Sequence, residues 1–301
     1  MKTVFNFDEF KTSERLPSPS GTARLIIQLV QKDTTSVQEL SQLIKTDPAL
    51  ASRIIGFANS AFIGVHRPIV SLNEAVNLIG MKTVSTFALC LSLISKNQAS
   101  NCINFNYDIY WAQALANAIS IATITAHERT AIPEEAFSLG LLSNIGRLAL
   151  ATAWPDVYSD LLYKTYGYEL MELERECFSV DHNKLSLLLL KDWGFPDIYI
   201  DALKLSFELP ATKPSKLARL AEQLAFSRHA ALYLIVDEKY RNYLLSNLQK
   251  KAILHSIEEN DFDHFFETIT QQWQDWGKLI GIETDVRLAS PVNQQDLTEL
   301  T

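Results

Sequence analysis

The chain has 301 residues, 47% of them hydrophobic and 21% charged, which is enough apolar surface for one large packed domain or two modest ones. Ten glycines and ten prolines are few for the tight turns of a sheet protein and fit long helices joined by short connections. A formal net charge of −8 excludes a general attraction to nucleic-acid phosphates or anionic lipid, since both depend on concentrated Lys and Arg.

The start, MKTVFNFDEFKT, is acidic and aromatic and lacks the basic region and apolar stretch of a secretory signal. Residues 1–13 read as a loose N-terminal arm. LPSPSGTAR then reads as a lead-in loop to the helical stripe Leu25, Ile26, Leu29 and Val30. Ser36 and Glu39 stand at capping-box spacing ahead of Leu40, Leu43 and Ile44. Asp47 followed by Pro48 joins an N-cap acceptor to a residue whose φ already suits a first turn. Ser71 and Glu74 repeat the capping box, and Gly80 stops that helix.

MKTVSTFALCLSLI reads as a buried helix, and residues 109–130, rich in Ala and Ile, as a central helix packed on several sides. Pro133, Glu134 and Glu135 open a helix through LGLLSNIGRLALATAW, with the acids at the positive end of its dipole and Pro155 ending it. LERECFSVDHNKLSLLLLKDW and DIYIDALKLSFELP read as two further helices divided by Gly194-Phe195-Pro196. LPATKPSK is the best linker, residues 215–280 continue helical, and the tail beyond about Asp285 is polar.

Cys90, Cys102 and Cys177 are odd in number and dispersed, so they read as reduced, buried thiols and not as a disulfide framework or zinc site. Apolar runs such as Leu187–Leu190 fall far short of the ~18 residues that span a bilayer. The expectation is a cytoplasmic protein with no membrane partner.

Taken in order, LPSPSGTARLI, Asp47-Pro48-Ala49-Leu50, FANSAF with Asn59-Ser60, the helix from Ser71 to Gly80 and GLLSNIGRLAL resemble the HDOD family over roughly residues 14–205. Several short motifs in the right order are more specific than any one alone. The resemblance implies an all-α, multi-helix HDOD/HD-like bundle at 14–205. A smaller helical C-terminal region, 206–285, would pack on it, and 286–301 would form a tail of low order. HDOD domains are related to HD phosphohydrolases but are generally regarded as regulatory or output modules of bacterial signalling.

The resemblance places the family's His-Asp pair at Ser143 and Asn144, its central-helix histidine at Gln113 and a downstream histidine at His182. A later histidine pair falls near Leu205 and Ser206. An HD hydrolase needs neutral imidazoles and ionised carboxylates to hold a divalent cation. A neutral Ser143 hydroxyl and an uncharged Asn144 carboxamide do not supply them. The resemblance therefore implies no catalytic residue, no metal and no cofactor. Gln113, Ser143, Asn144 and His182 would be the lining of a relic pocket that takes a small polar ligand or has closed. The implied function is regulatory, through a signalling-protein partner whose identity the sequence does not reveal.

Two other classes stay open. One is a metal-dependent phosphodiesterase or phosphohydrolase acting on a nucleotide or cyclic dinucleotide. The other is a DNA-binding transcriptional regulator using the helix pair from Ser36 to Ser60, whose second helix offers only Arg53 to a groove. Ser143 lacks the G-x-S-x-G nucleophile pattern, and His127 and His229 have no second ligand at helical spacing. Trp273 and Trp276, at i and i+3, share a helix face for packing or docking.

Overall fold

The computed structural model describes residues 5–12, 21–32, 34–60, 63–96, 101–208 and 214–288. Sixteen helices lie among the described residues and no strand does. The β structure there is an isolated parallel bridge between Val236 and Leu288. The LPSPS lead-in, the LPATK linker and residues 289–301 lie outside the described residues.

The first helix, α1 (Phe7–Thr12), corrects the expectation of a loose arm. Phe10 stacks on Trp154 at 4.8 Å between ring centroids, Trp154 stacks in turn on Phe178, and Lys11 pairs with Asp192 at 3.0 Å. A buried aromatic ring is worth about 2 kcal/mol, enough to hold so short a helix in place.

Five helices follow: α2 (Gly21–Val30), α3 (Val37–Ile44), α4 (Pro48–Ala58), α5 (Leu72–Ile79) and α6 (Met81–Lys96), with α2 against α3 and α6, and α4 against α5 and α6. The capping box at Ser36 forms: its hydroxyl accepts from the Glu39 backbone N–H at 3.2 Å, and the Glu39 carboxylate accepts from the Ser36 N–H at 2.9 Å. Asp47 caps α4 through the Leu50 N–H at 3.0 Å. The second box does not form, because Glu74 turns to an ion pair with Arg67 and Ser71 makes no side-chain cap bond. Asn59 closes α4 by exchanging two 2.7 Å hydrogen bonds with the backbone of Ile69.

The axis of the molecule is α7 (Tyr107–Glu128), which packs against α8 (Pro133–Leu142) and two carboxy-terminal helices. Its many alanines permit close approach. A Cβ at Gly140 would lie 2.8 Å from the Ala118 Cα. The long helix expected from Pro133 breaks at Ser143-Asn144 and resumes as α9 (Ile145–Ala153), and Pro155 begins α10 (Pro155–Lys164). The next expected helix is also split, into α11 (Gly167–Phe178) and α12 (His182–Asp192). Ser179 takes a left-handed φ of 59° there, and Asp181 caps α12 through the Lys184 N–H at 2.7 Å. α13 (Asp197–Phe207) completes this half.

The carboxy-terminal helices α14 (Lys216–Ile235), α15 (Glu238–Leu254) and α16 (Glu259–Ile280) share the core of the preceding ones. Trp276 of α16 meets Phe57, Phe87 and Phe137 at centroid distances of 5.0, 5.9 and 4.8 Å. Trp273 donates its indole N–H to the Ala112 carbonyl at 2.9 Å. Both rings are buried, so the shared tryptophan face packs and does not offer a docking surface.

Cys90 and Cys102 are buried, but Cys177 is exposed, which corrects its reading as a buried thiol. By length and composition the stretch Pro133–Ala153 could cross a membrane; in the fold it is interrupted at Ser143-Asn144 and 83% buried inside the protein.

Candidate functional site

Tyr110, Gln113 and Asn117 stand at i, i+3 and i+7, on one face of α7, and the break between α8 and α9 lies across from them. Asn117 is the hub. Its Nδ2 donates to the Gly140 carbonyl at 2.8 Å and to the Ser143 hydroxyl at 2.9 Å, while its Oδ1 accepts from the Ser227 hydroxyl at 2.6 Å. The Ser143 hydroxyl spends its own proton on the Gly140 carbonyl at 2.9 Å. Ser143 is thus built into a buried network spanning α7, α8 and α14, in which each member lowers the cost of burying the others.

Two turns back along α7, the Tyr110 hydroxyl donates to the Asn144 carbonyl at 3.4 Å. Gln113 lies between these contacts and is half-buried. Asn144 opens α9, yet its side chain makes no capping bond. Two residues on, a Cβ at Gly146 would sit 2.0 Å from the His182 carbonyl oxygen, so α9 and α12 touch backbone to backbone. The Ser186 hydroxyl rivets the crossing, accepting from the Gly146 N–H and donating to the His182 carbonyl, both at 2.9 Å. These contacts bring Ser143, Asn144 and His182 together, with Gln113 between Tyr110 and Asn117 along α7.

The charges beneath them are paired. Glu174 is fully buried and would be costly alone. The His182 Nδ1 faces both of its oxygens, at 2.7 and 2.9 Å, and the His182 backbone N–H donates to it at 2.8 Å. Arg147, in the first turn of α9, lies close by. Burial works against its charge, but Tyr158, Glu174 and Tyr110 outweigh that and hold its pKa above the usual guanidinium value. Burial pushes the phenols of Tyr110 and Tyr158 well above the ordinary tyrosine range, so both are neutral hydrogen-bonding groups.

Sequence reasoning did not find Asn117, Arg147, Tyr158 or Glu174. A signal for Glu174 was present: Leu170, Glu174 and Phe178 fall at i, i+4 and i+8, which places an acid on the buried stripe of α11. Ser206, the other family position, belongs to a separate contact: its hydroxyl and carbonyl accept from Arg228 at 2.8 and 2.6 Å, and burial pushes Arg228 down to about 10. His127 approaches the Ser256 carbonyl at 3.4 Å, and the His229 Nδ1 lies 2.6 Å from the Ala225 carbonyl.

Among the described residues no group of three or more His, Cys, Asp and Glu side chains is arranged to hold a metal ion. The donors at the cluster are two carboxamides, a hydroxyl engaged with Asn117 and one imidazole turned to Glu174, with a guanidinium beside them. This set does not fit the divalent cation of an HD hydrolase, which needs anionic oxygens or several free imidazoles. Two open clefts lie elsewhere, one lined by Lys250, Ile253 and Phe262 and one by Arg129, Ile132 and Pro133.

The HDOD domain family model matches residues 16–207. The MmoQ response regulator of Methylococcus capsulatus str. Bath is 41% identical in a solved structure, with 83% of this chain and 97% of that one covered and a TM-score of 0.54. An HDOD domain protein of unknown function from Geobacter sulfurreducens shares the fold at 17% identity, with coverage of 91% and 96% and a TM-score of 0.62. An uncharacterized protein of Treponema pallidum (strain Nichols) is 20% identical over 220 residues, 71% of this chain, and the chain spans 42% of that curated relative's length.

Proposed function

Because the chain belongs to the HDOD domain family, we propose that it is a cytoplasmic signal-transduction module that acts through a protein partner or a bound small polar ligand and hydrolyses no phosphoester. The observation that carries this reading is the Ser143 hydroxyl, which is locked between Asn117 and Gly140 at the position where the family's metal-binding histidine would stand. Arg147 adds to it, since a guanidinium beside the site repels an entering cation. The likeness to a protein named a response regulator agrees with a signalling role. The transcriptional alternative has little support, because α4 lies so close to α16 that a Cβ at Gly56 would meet Leu279 at 2.6 Å.

The test is hydrolysis of bis(p-nitrophenyl) phosphate and of cyclic dinucleotides by the full chain with added Mn²⁺, Ni²⁺ or Fe²⁺. The expected result is no turnover above the buffer control. Metal-dependent turnover that disappears in Asn144→Ala or His182→Ala would sink the non-catalytic reading and restore the phosphodiesterase.

A further inference from the structure

We propose that residues 289–301 of this chain lie along the outer face of α15, with Leu297 in the cleft between α15 and α16 and Asp296 beside Lys250. This goes beyond the signalling reading and does not rest on it, since neither the metal question nor the network at Asn117 bears on that face.

The case begins with one row of α15. Lys239, Tyr243, Ser246, Lys250 and Ile253 stand at i, i+4, i+7, i+11 and i+14, a continuous stripe, and all are exposed. The stripe carries two cations and no acid, on a chain whose formal net charge is −8. It also shows apolar surface, with Tyr243 56% and Ile253 60% exposed and Leu254 next to it at 69%. The stripe ends in the cleft that Lys250 and Ile253 line together with Ile257, Glu259 and Phe262. Ile257 and Phe262 are its buried apolar lining, and Glu259 stands on the α16 side. The cleft holds about 190 Å³. A cavity of about 150 Å³ takes a benzene molecule, so there is room here for one leucine side chain.

The occupant follows from where the chain leaves the described residues. Leu288 forms the parallel bridge with Val236, donates its N–H to the Ile235 carbonyl at 2.9 Å and packs on Leu232, Val236 and Leu244. Residue 289 therefore starts beside the amino-terminal end of α15. At ~1.5 Å per helical residue the cleft lies about 20 Å further along the helix. An extended chain advances about 3.3 Å per residue, so Val292 gets about 13 Å and falls short, whereas Leu297 has about 30 Å in hand. Asp296 and Glu299 are the charged side chains of residues 289–301, and each directly precedes a leucine. An acid next to a leucine matches a lysine next to an apolar cleft. An exposed ion pair adds little by itself, so the leucine supplies the binding, while Lys250 on one wall and Glu259 on the other decide which side the acid takes.

The experiment is hydrogen exchange of the full chain at neutral pH and low salt, read by mass spectrometry over residues 289–301, together with the NMR signal of the Ile253 methyl group. The expected result is exchange at residues 296–300 slower than in an unstructured peptide by roughly tenfold or more. Lys250→Glu and Leu297→Asp should each return it to within about twofold of the unstructured rate. Lys250→Glu should leave the melting temperature unchanged, since that side chain is exposed. Leu297→Asp should move the Ile253 methyl signal, and Val292→Ala, too near the start of the segment to reach the cleft, should leave it in place. Unprotected exchange in the parent chain overturns the proposal, as does protection that survives both substitutions. Protection that grows with protein concentration makes a second copy the occupant and overturns it as well. An Ile253 signal that moves equally in Val292→Ala removes Leu297 from the cleft.

Discussion

Replacing Asn117 by alanine would remove three bonds at once, since the Gly140 carbonyl, the Ser143 hydroxyl and the Ser227 hydroxyl all bond to its carboxamide, while Ser143 keeps the Gly140 carbonyl and Ser227 the Leu224 carbonyl. A buried hydrogen bond is worth about 0.5–1.5 kcal/mol net, so Asn117→Ala should lose roughly 2–3 kcal/mol in urea unfolding at 25 °C. Asn117→Asp should do no better, because it loses the two N–H donors and buries a charge. At this scale the candidate site was half legible. Ser143, Asn144, Gln113 and His182 were named because a resemblance gave their positions. Asn117 was not, because one polar residue within ALANAIS looks like any small interruption of an apolar helix, and only its three cross-helix bonds give it meaning. Glu174 was missed although its place on a buried stripe was written in the spacing of Leu170 and Phe178.

Helices were easier to read than their ends. The caps at Ser36 and Asp47 form as their spacing predicts, because both depend on residues three positions apart. The box at Ser71 fails for a reason outside its own four residues, the ion pair of Glu74 with Arg67. The breaks at Ser143-Asn144 and at Ser179 carry neither glycine nor proline. They are set by packing of the kind seen where the Gly146 backbone presses on His182. The role of α16 was likewise a matter of tertiary contact: Trp276 fills a cluster of Phe57, Phe87 and Phe137 drawn from three other helices. Trp276→Ala should therefore cost about 3–5 kcal/mol, as a large ring removed from a closed core does. Chemical denaturation followed by circular dichroism reads that loss, and a change under 1 kcal/mol would mean that α16 is not part of the core.

Across the whole molecule the matched region 16–207 and the helices after it fold as one body. Besides the tryptophans, Glu128 at the end of α7 accepts from Arg219 of α14 at 2.6 Å and from His255, just past α15, at 2.8 Å. Burial lowers the His255 pKa below the ordinary 6.5, against an opposing pull from Glu128. The unfolded chain then binds the proton more readily than the folded one. The stability is thus fully present above about pH 6.5 and declines as the pH falls from there toward the folded pKa. The melting temperature should drop between about pH 7 and pH 5, and His255→Asn, which keeps a donor for Glu128 without titrating, should flatten that slope. A slope identical in the variant would place the pH sensitivity elsewhere. The central claim is that a hydrogen-bond network and a guanidinium occupy the place of a metal centre. It is tested most directly by elemental analysis of the purified full chain after incubation with Mn²⁺ and dialysis. The closed network predicts far less than one ion per chain, equal in the parent and in Asn144→Ala. A near-stoichiometric ion that is lost on Asn144→Ala or His182→Ala would contradict it.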